Sequence, residues 1–284
     1  MTEDGPTGPS GPGPGVDPEV SPEAPGGEPL GARQPIRAIR AGAIQSSREV
    51  RRMFDRIVPR YDLMNRVMTG GRDTVWRKMM AKRAATSAAA LGPSVTVLDV
   101  ATGTGDLAFA IRRAGAGTVV GIDFSREMIV AAHHKADDKD SATSFLVGDA
   151  LRLPFPDQTF DACTVSFGLR NMANYDAALA EMTRILRPGG TFFCLEMTPF
   201  RRPILGPVFR VYFDRLVPLV GGLLSGDLAA YRYLPRSVEA FPGAHELADR
   251  MRGAGLEDVE YALLGFGTVA IHSGTRPPVD APLP

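Results

Sequence analysis

The stretch Val97-Leu98-Asp99-Val100-Ala101-Thr102-Gly103-Thr104-Gly105-Asp106 constrains this chain more than any other. An apolar, β-branched run reaches Asp99, turns through a Gly/Thr loop and enters a helical pattern over 107–113. Glycine at 103 and 105 lets the backbone turn tightly and approach a ligand. The helix start points free N–H groups into that turn, where a carboxylate or phosphate can sit. A second strand, Thr118-Val119-Val120-Gly121-Ile122-Asp123, ends in a carboxylate 20 residues after Gly103. At that spacing an acid can accept from both hydroxyls of an adenosine ribose. The pattern predicts a site for an adenosine-containing cofactor.

The loop alone leaves the cofactor open. Gly103-x-Gly105-x-x-Ala108 fits a loose dinucleotide fingerprint, which implies a nicotinamide or flavin. Asp99-x-Ala101-x-Gly103-x-Gly105 fits the acidic, glycine-spaced loop of S-adenosylmethionine methyltransferases, with Ala101 in place of the first glycine. Downstream, Phe145-Leu146-Val147-Gly148-Asp149-Ala150 is a third strand ending in an acid. Then come Leu153-Pro154-Phe155-Pro156-Asp157, a strand near 160–168, a helix, and Arg187-Pro188-Gly189-Gly190 before another apolar strand. This ordered series resembles the class I methyltransferase domain. The resemblance implies that Asp149 accepts from the adenine amino group and that Pro188-Gly189-Gly190 turns the chain into the fifth strand.

Composition excludes several classes. Lys+Arg and Asp+Glu are equal at 32 each, so no net field steers the chain to nucleic acid, and no basic patch with interleaved aromatics is evident. The two cysteines, Cys163 and Cys194, fall in apolar strands and read as core residues of a reducing compartment. No apolar run reaches the roughly 18 residues that span a bilayer, and the N-terminus lacks a signal pattern. A cytoplasmic protein is expected. His133, His134 and His245 lack metal-ligand spacing, so no metal is expected.

Strands are expected near 95–100, 118–123, 143–149, 160–168 and 190–197, with helices near 105–114, 125–135 and 174–187. That alternation predicts an α/β fold with a parallel sheet covered on both faces. Right-handed crossovers then place Gly103, Asp123, Asp149 and Ser166 along one edge. Residues 1–42 are rich in Gly, Pro, Glu and Ser and read as a disordered tail. A domain over 46–276 would hold a helical lid (46–90), a cofactor-binding core (95–197), a cap insertion (200–240) and a C-terminal helix and hairpin (244–276). A frayed tail (277–284) follows. Within the lid, Val50, Met53, Phe54 and Ile57 recur at helical spacing to Pro59; further helices are expected near 61–68 and 74–90. The hairpin turns at Gly265-Phe266-Gly267, which would make the last strand of a seven-stranded Rossmann-like sheet antiparallel.

The flanks narrow the resemblance. Met53-Phe54-Asp55-Arg56-Ile57-Val58-Pro59-Arg60-Tyr61-Asp62-Leu63-Met64-Asn65 and Ser166-Phe167-Gly168-Leu169-Arg170-Asn171 resemble the ubiquinone/menaquinone biosynthesis C-methyltransferase family. Trp76-Arg77, Leu195-Glu196 and Tyr231-Arg232-Tyr233-Leu234-Pro235-Arg236-Ser237 add to the match, which covers about 48–276. The resemblance implies methyl transfer from S-adenosyl-L-methionine to a ring carbon of a polyprenylated quinol. The demethylmenaquinol-to-menaquinol step is the first choice; the benzoquinol of ubiquinone biosynthesis or another small molecule is the alternative. It also implies cofactor contacts from Thr104, Asp123, Asp149, Ala150 and Ser166, together with Gly103 and Gly105 of the loop. Arg170 is the candidate for activating the quinol oxygen, against the alternative of a structural ion pair. Asp99 is expected to tie down the loop, and Tyr61, Asp62 and Asn65 to close over the cofactor or to serve core and capping roles. The apolar 204–224 segment is expected to cap the domain or to touch a membrane peripherally; the oligomeric state stays open.

Overall fold

The computed structural model describes residues 47–92, 94–136, 142–200 and 228–278. The expected tail (1–42), the 204–224 segment with most of the cap insertion, and the end from 279 lie outside them. Seven strands form one sheet: β1 (Thr96–Val100), β2 (Thr118–Asp123), β3 (Thr143–Val147), β4 (Phe160–Ser166), β5 (Leu186–Met197), β6 (Glu257–Leu264) and β7 (Val269–Thr275). Their order is β3-β2-β1-β4-β5-β7-β6, parallel from β3 to β5, with β7 antiparallel to both β5 and β6. The α/β class, the seven-stranded sheet and its antiparallel last strand are as expected.

Alternation sorts the apolar side chains to two faces. On one face Val97, Ala162, Phe193 and Leu195 pack with α2 (Arg72–Ala89), α3 (Asp106–Arg113) and α4 (Arg126–Lys135). On the other, Leu98, Val100, Cys163, Val165 and Cys194 pack with α5 (Tyr175–Arg184) and α7 (Ala244–Gly253). Cys163 and Cys194 are free, buried thiols in this second layer. Between β5 and α7 lies α6 (Leu228–Ala240), which contains Pro235.

Three local expectations need correction. The N-terminal helices at 46–59 and 61–68 are one helix, α1 (Ser47–Thr69), whose backbone continues through Pro59. Proline removes one hydrogen bond from a helix, but anchors on either side hold this one. Ser125 Oγ donates to Asp55 Oδ1 (2.6 Å), and Thr104 Oγ1 donates to Asp62 Oδ1 (2.7 Å). Second, the expected lid is only half a lid. Met80, Ala84 and Ala88 of α2 are fully buried in the layer against the sheet, and Ser87 and Thr191 share a hydrogen bond (2.7 Å). The alanine-rich stripe lets α2 lie close to the strands, and α2 reaches the ligand edge only through side chains such as Arg77, beside α1. Third, α5 stops at Arg184, because Arg276 Nη1 collects the carbonyls of Thr183, Arg184 and Leu186 (2.6–3.1 Å). Pro188-Gly189-Gly190 therefore lies within β5, at an irregularity in its pairing with β4, where Gly189 adopts φ +79°.

Met80→Ala tests the placement of α2. A fully buried methionine between helix and sheet should cost about 2–5 kcal/mol when truncated, read as a lowered urea midpoint. A mere lid residue would leave that midpoint nearly unchanged.

Candidate functional site

The tips of β1, β2, β3 and β4 meet at one edge of the sheet, and two of them are held in left-handed backbone. Ala101 after β1 has φ +52° and Phe167 after β4 has φ +57°. A side chain on Gly168 would bring its Cβ to 2.5 Å from the Ala101 Cβ, so the two loops touch. Gly103 (φ +57°) and Gly105 (φ +84°) complete the turn into α3. Gly105 has a packing role as well, since a Cβ there would lie 2.9 Å from the rings of Phe109 and Phe145.

Two buried carboxylates shape the loop. Asp99 accepts from Thr102 Oγ1 (2.6 Å) and Thr164 Oγ1 (2.8 Å), linking the loop to β4 through side chains. Asp123 accepts from the backbone N–H of Gly103 (2.8 Å) with one oxygen and of Ser125 (2.9 Å) with the other. Burial pushes each carboxyl up to about 6, against the downward pull of those hydrogen bonds. A carboxylate offers about four lone-pair positions, and the N–H groups of Gly103 and Ser125 occupy two on Asp123.

A cleft of about 420 Å³ opens over this edge. Asp123, Asp149 and Ala150 line it, together with Ala101, Gly168 and Met172. Asp149 is exposed and accepts from the Leu151 N–H (2.9 Å). Beneath the loop lies a narrow polar recess lined by Tyr61, Asp62, Arg77, Gly103, Thr104, Asp106 and Ser166. Thr104 Oγ1 accepts from Lys135 Nζ (2.8 Å), and Lys135 also pairs with Asp62 and Asp106. Arg77 pairs with Asp73 (2.8 Å) and lies over the Phe167 ring, 5.7 Å from its centroid. Ser166 Oγ is buried here without a hydrogen-bond partner among the described residues.

The structure thus brings Asp123, Asp149 and Ala150 to the cleft and Gly103, Thr104 and Ser166 to the recess. Arg170 is not among the residues lining either space. Its guanidinium pairs with Glu196 (2.5 Å) and donates to the Phe167 carbonyl (2.8 Å). Burial alone would lower the Arg170 pKa; Glu196 outweighs it and holds the group charged. The Arg170 Nε–H is nevertheless buried without an acceptor among the described residues. Around Arg170 lie Tyr61 and Tyr233, whose phenols burial pushes up, and Tyr233 donates to Asn171 Oδ1 (3.2 Å). Arg77, Asp106 and Lys135 were not singled out by the sequence as parts of the site. The spacing of Asp73 and Arg77, one helical turn apart, was the available signal. His272 is buried, its ring within 2.8 Å of the Ala244 carbonyl, and takes no part in the site.

Comparison with known proteins gives the family and the fold. The model of the ubiE/COQ5 methyltransferase family matches residues 43–276. The chain is 49% identical over 226 residues to the demethylmenaquinone methyltransferase of Thermus thermophilus, covering 79% of this chain and all of that one. It is 42% identical to the ubiquinone/menaquinone biosynthesis C-methyltransferase UbiE of Desulfotalea psychrophila, over 80% of this chain and 90% of that one. Among solved structures, a SAM-dependent methyltransferase from Thermotoga maritima superposes with a TM-score of 0.55 at 19% identity, covering 80% of this chain and 99% of that one. The [4+2]-cyclase SpnF gives 0.54 at 20% identity, covering 71% and 81%. At these identities the two structures show the shared fold alone.

Glu196→Ala should destabilise the protein by about 3–5 kcal/mol, the scale for leaving a buried charge unpaired. Chemical denaturation checks this, and a loss below 1 kcal/mol would show that Arg170 finds another partner.

Proposed function

The chain belongs to the ubiE/COQ5 methyltransferase family, and from that premise we propose that it methylates a ring carbon of a polyprenylated quinol, with demethylmenaquinol as acceptor. The observation that carries this reading is the convergence of Asp123, Asp149 and Ser166 on one cleft and its polar recess. The donor set fits S-adenosyl-L-methionine. Unused lone pairs on Asp123 suit the two ribose hydroxyls, and Asp149 at the cleft rim suits the adenine amino group. Arg77, Asp62 and Asp106 line the recess, and Lys135 pairs with both carboxylates, an arrangement suited to an amino acid's carboxylate and ammonium. The unpartnered Ser166 Oγ supplies a further contact there.

S-Adenosylmethionine, when bound, supplies a methyl group already activated by its sulfonium, so the protein's task is chiefly alignment. The acceptor carbon gains nucleophilicity as the neighbouring quinol hydroxyl loses its proton. We assign Arg170, which does not itself line the cleft although its neighbours Gly168 and Asn171 do, to hold that oxygen as it becomes negative, using the Nε–H that has no acceptor among the described residues. Glu196 keeps the guanidinium oriented, and Tyr61 and Tyr233, whose phenols burial makes still harder to ionise, surround it as neutral groups rather than as ready bases. The relatives named for ubiquinone as well as menaquinone biosynthesis favour a benzoquinol as the second reading.

Mass spectrometry of products from a reduced naphthoquinol and a reduced benzoquinol tests the proposal. Methylation of the naphthoquinol is expected, and failure to methylate either acceptor would overturn it. Arg170→Lys keeps a charge for Glu196 but removes the Nε–H. It should lower turnover by about tenfold or more with unchanged affinity for S-adenosylhomocysteine.

Asp123→Ala should weaken S-adenosylhomocysteine binding by about 1.5–3 kcal/mol in titration calorimetry. The ribose hydroxyls need the ionised carboxylate, and the free protein holds that carboxyl near 6. Wild-type affinity should therefore rise as pH increases from about 5 to about 7 and then level off, with a smaller rise in the variant.

A further inference from the structure

A chain with no net charge conceals a strongly basic face. Residues 47–89, covering α1 and α2, carry eleven Lys/Arg against four Asp/Glu, a local net of +7. Burial separates the two signs. Three of the four acids, Asp55, Asp62 and Asp73, turn inward, to Ser125, to Thr104 with Lys135, and to Arg77 with Thr69 respectively; the fourth, Glu49, is exposed on the same side of α1 as Arg56 and Arg60. The bases turn outward: Arg51, Arg52, Arg56, Arg60 and Arg66 of α1, and Arg72, Lys78, Lys82 and Arg83 of α2, are all exposed.

Helical periodicity gathers these bases into stripes. At 100° per residue, Arg52, Arg56, Arg60, Leu63 and Arg66 fall on one side of α1, opposite the inward-facing Val50, Phe54 and Tyr61. Arg72, Val75, Lys78, Lys82 and Arg83 likewise share one side of α2, opposite the buried Met80 and Ala84. Each stripe holds one large apolar side chain facing water: Leu63 is 55% exposed and Val75 62%. A basic face with isolated apolar residues matches the interface of a peripheral protein with anionic lipid. An ordinary solvated face would mix the two signs; here the four exposed bases at 72, 78, 82 and 83 face no exposed acid on their own helix.

The position of the face gives it a use. Arg51 continues the α1 surface into the wall of the cleft. We infer that the outer sides of α1 and α2 dock the protein on an anionic phospholipid bilayer, with the mouth of the cleft beside the lipid. This inference uses the proposed lipophilic acceptor only to explain why such docking is useful. Membrane binding itself is read without methyl transfer, so the two can fail separately.

Flotation of the full chain with vesicles tests the inference. Binding is expected to vesicles of phosphatidylcholine with about 30% phosphatidylglycerol, and not to phosphatidylcholine alone, and it should weaken steeply with added salt. Two charge reversals probe the helices separately: Arg52→Glu with Arg56→Glu on α1, and Lys78→Glu, Lys82→Glu with Arg83→Glu on α2. Each should weaken binding to the anionic vesicles by about tenfold or more, with the thermal midpoint and the rate on a short-chain, water-soluble quinol unchanged. Equal binding to neutral and anionic vesicles, or wild-type binding by both variants, would overturn the inference. So would retention on single-stranded RNA without any vesicle binding.

Discussion

The site depends on one carboxylate doing two jobs. Asp123, at the tip of β2, accepts from Gly103 in the loop after β1 and from Ser125 at the start of α4. It thereby joins the turn, the strand and the next helix before any ligand arrives. Ser125 passes the connection on: its hydroxyl accepts from Met128 N–H as a helix cap and donates to Asp55 of α1. Burying Asp123 has a cost, because its folded pKa of about 6 lies above the ordinary value. The same holds for Asp99. For each, folding is helped by protonation, and that help is lost as pH rises through the folded value. Near neutrality the free protein therefore holds two strained carboxylates at the edge where a polyhydroxylated ligand would satisfy one of them.

The charged residues of the N-terminal helices divide by task. Those facing inward pin α1 to the loop and to α4, and shape the recess through Asp62, Arg77 and their partners. Those facing outward are exposed to solvent. A single helical pair thus presents a mixed-sign interior to a zwitterionic ligand and an almost uniformly positive exterior to its surroundings.

Most of the fold was readable because its signals are local. Three of the four strand tips announced themselves by an apolar run closed by Asp99, Asp123 or Asp149, and the glycines marked the turns. What escaped depends on long-range partners. Nothing local shows that Arg276 would collect the carbonyls at the end of α5, which is why that helix was expected to reach 187. Pro59 reads as a helix end because local rules weigh its lost hydrogen bond and cannot see the anchors at Asp55 and Asp62. α2 reads as a lid from its place in the sequence, although its run of alanines already suited close packing. Arg170 and Glu196 stand 26 residues apart, so their ion pair could be weighed as an alternative but not seen. A summed charge of zero gave no hint of a basic face, since segregation emerges only when burial is known.

Ala101 carries a methyl group in backbone that favours glycine, and Gly168 lacks one in backbone that any residue adopts. The Ala101 methyl fills the space that a Gly168 side chain would need; without it, the nearest neighbour of a Cβ at 168 would be Val165 at 3.3 Å. The pair behaves as a single slot for one carbon atom, shared by the loops after β1 and β4. Sequence drift can move that carbon from one loop to the other but cannot place it on both, so relatives should co-vary at these two positions.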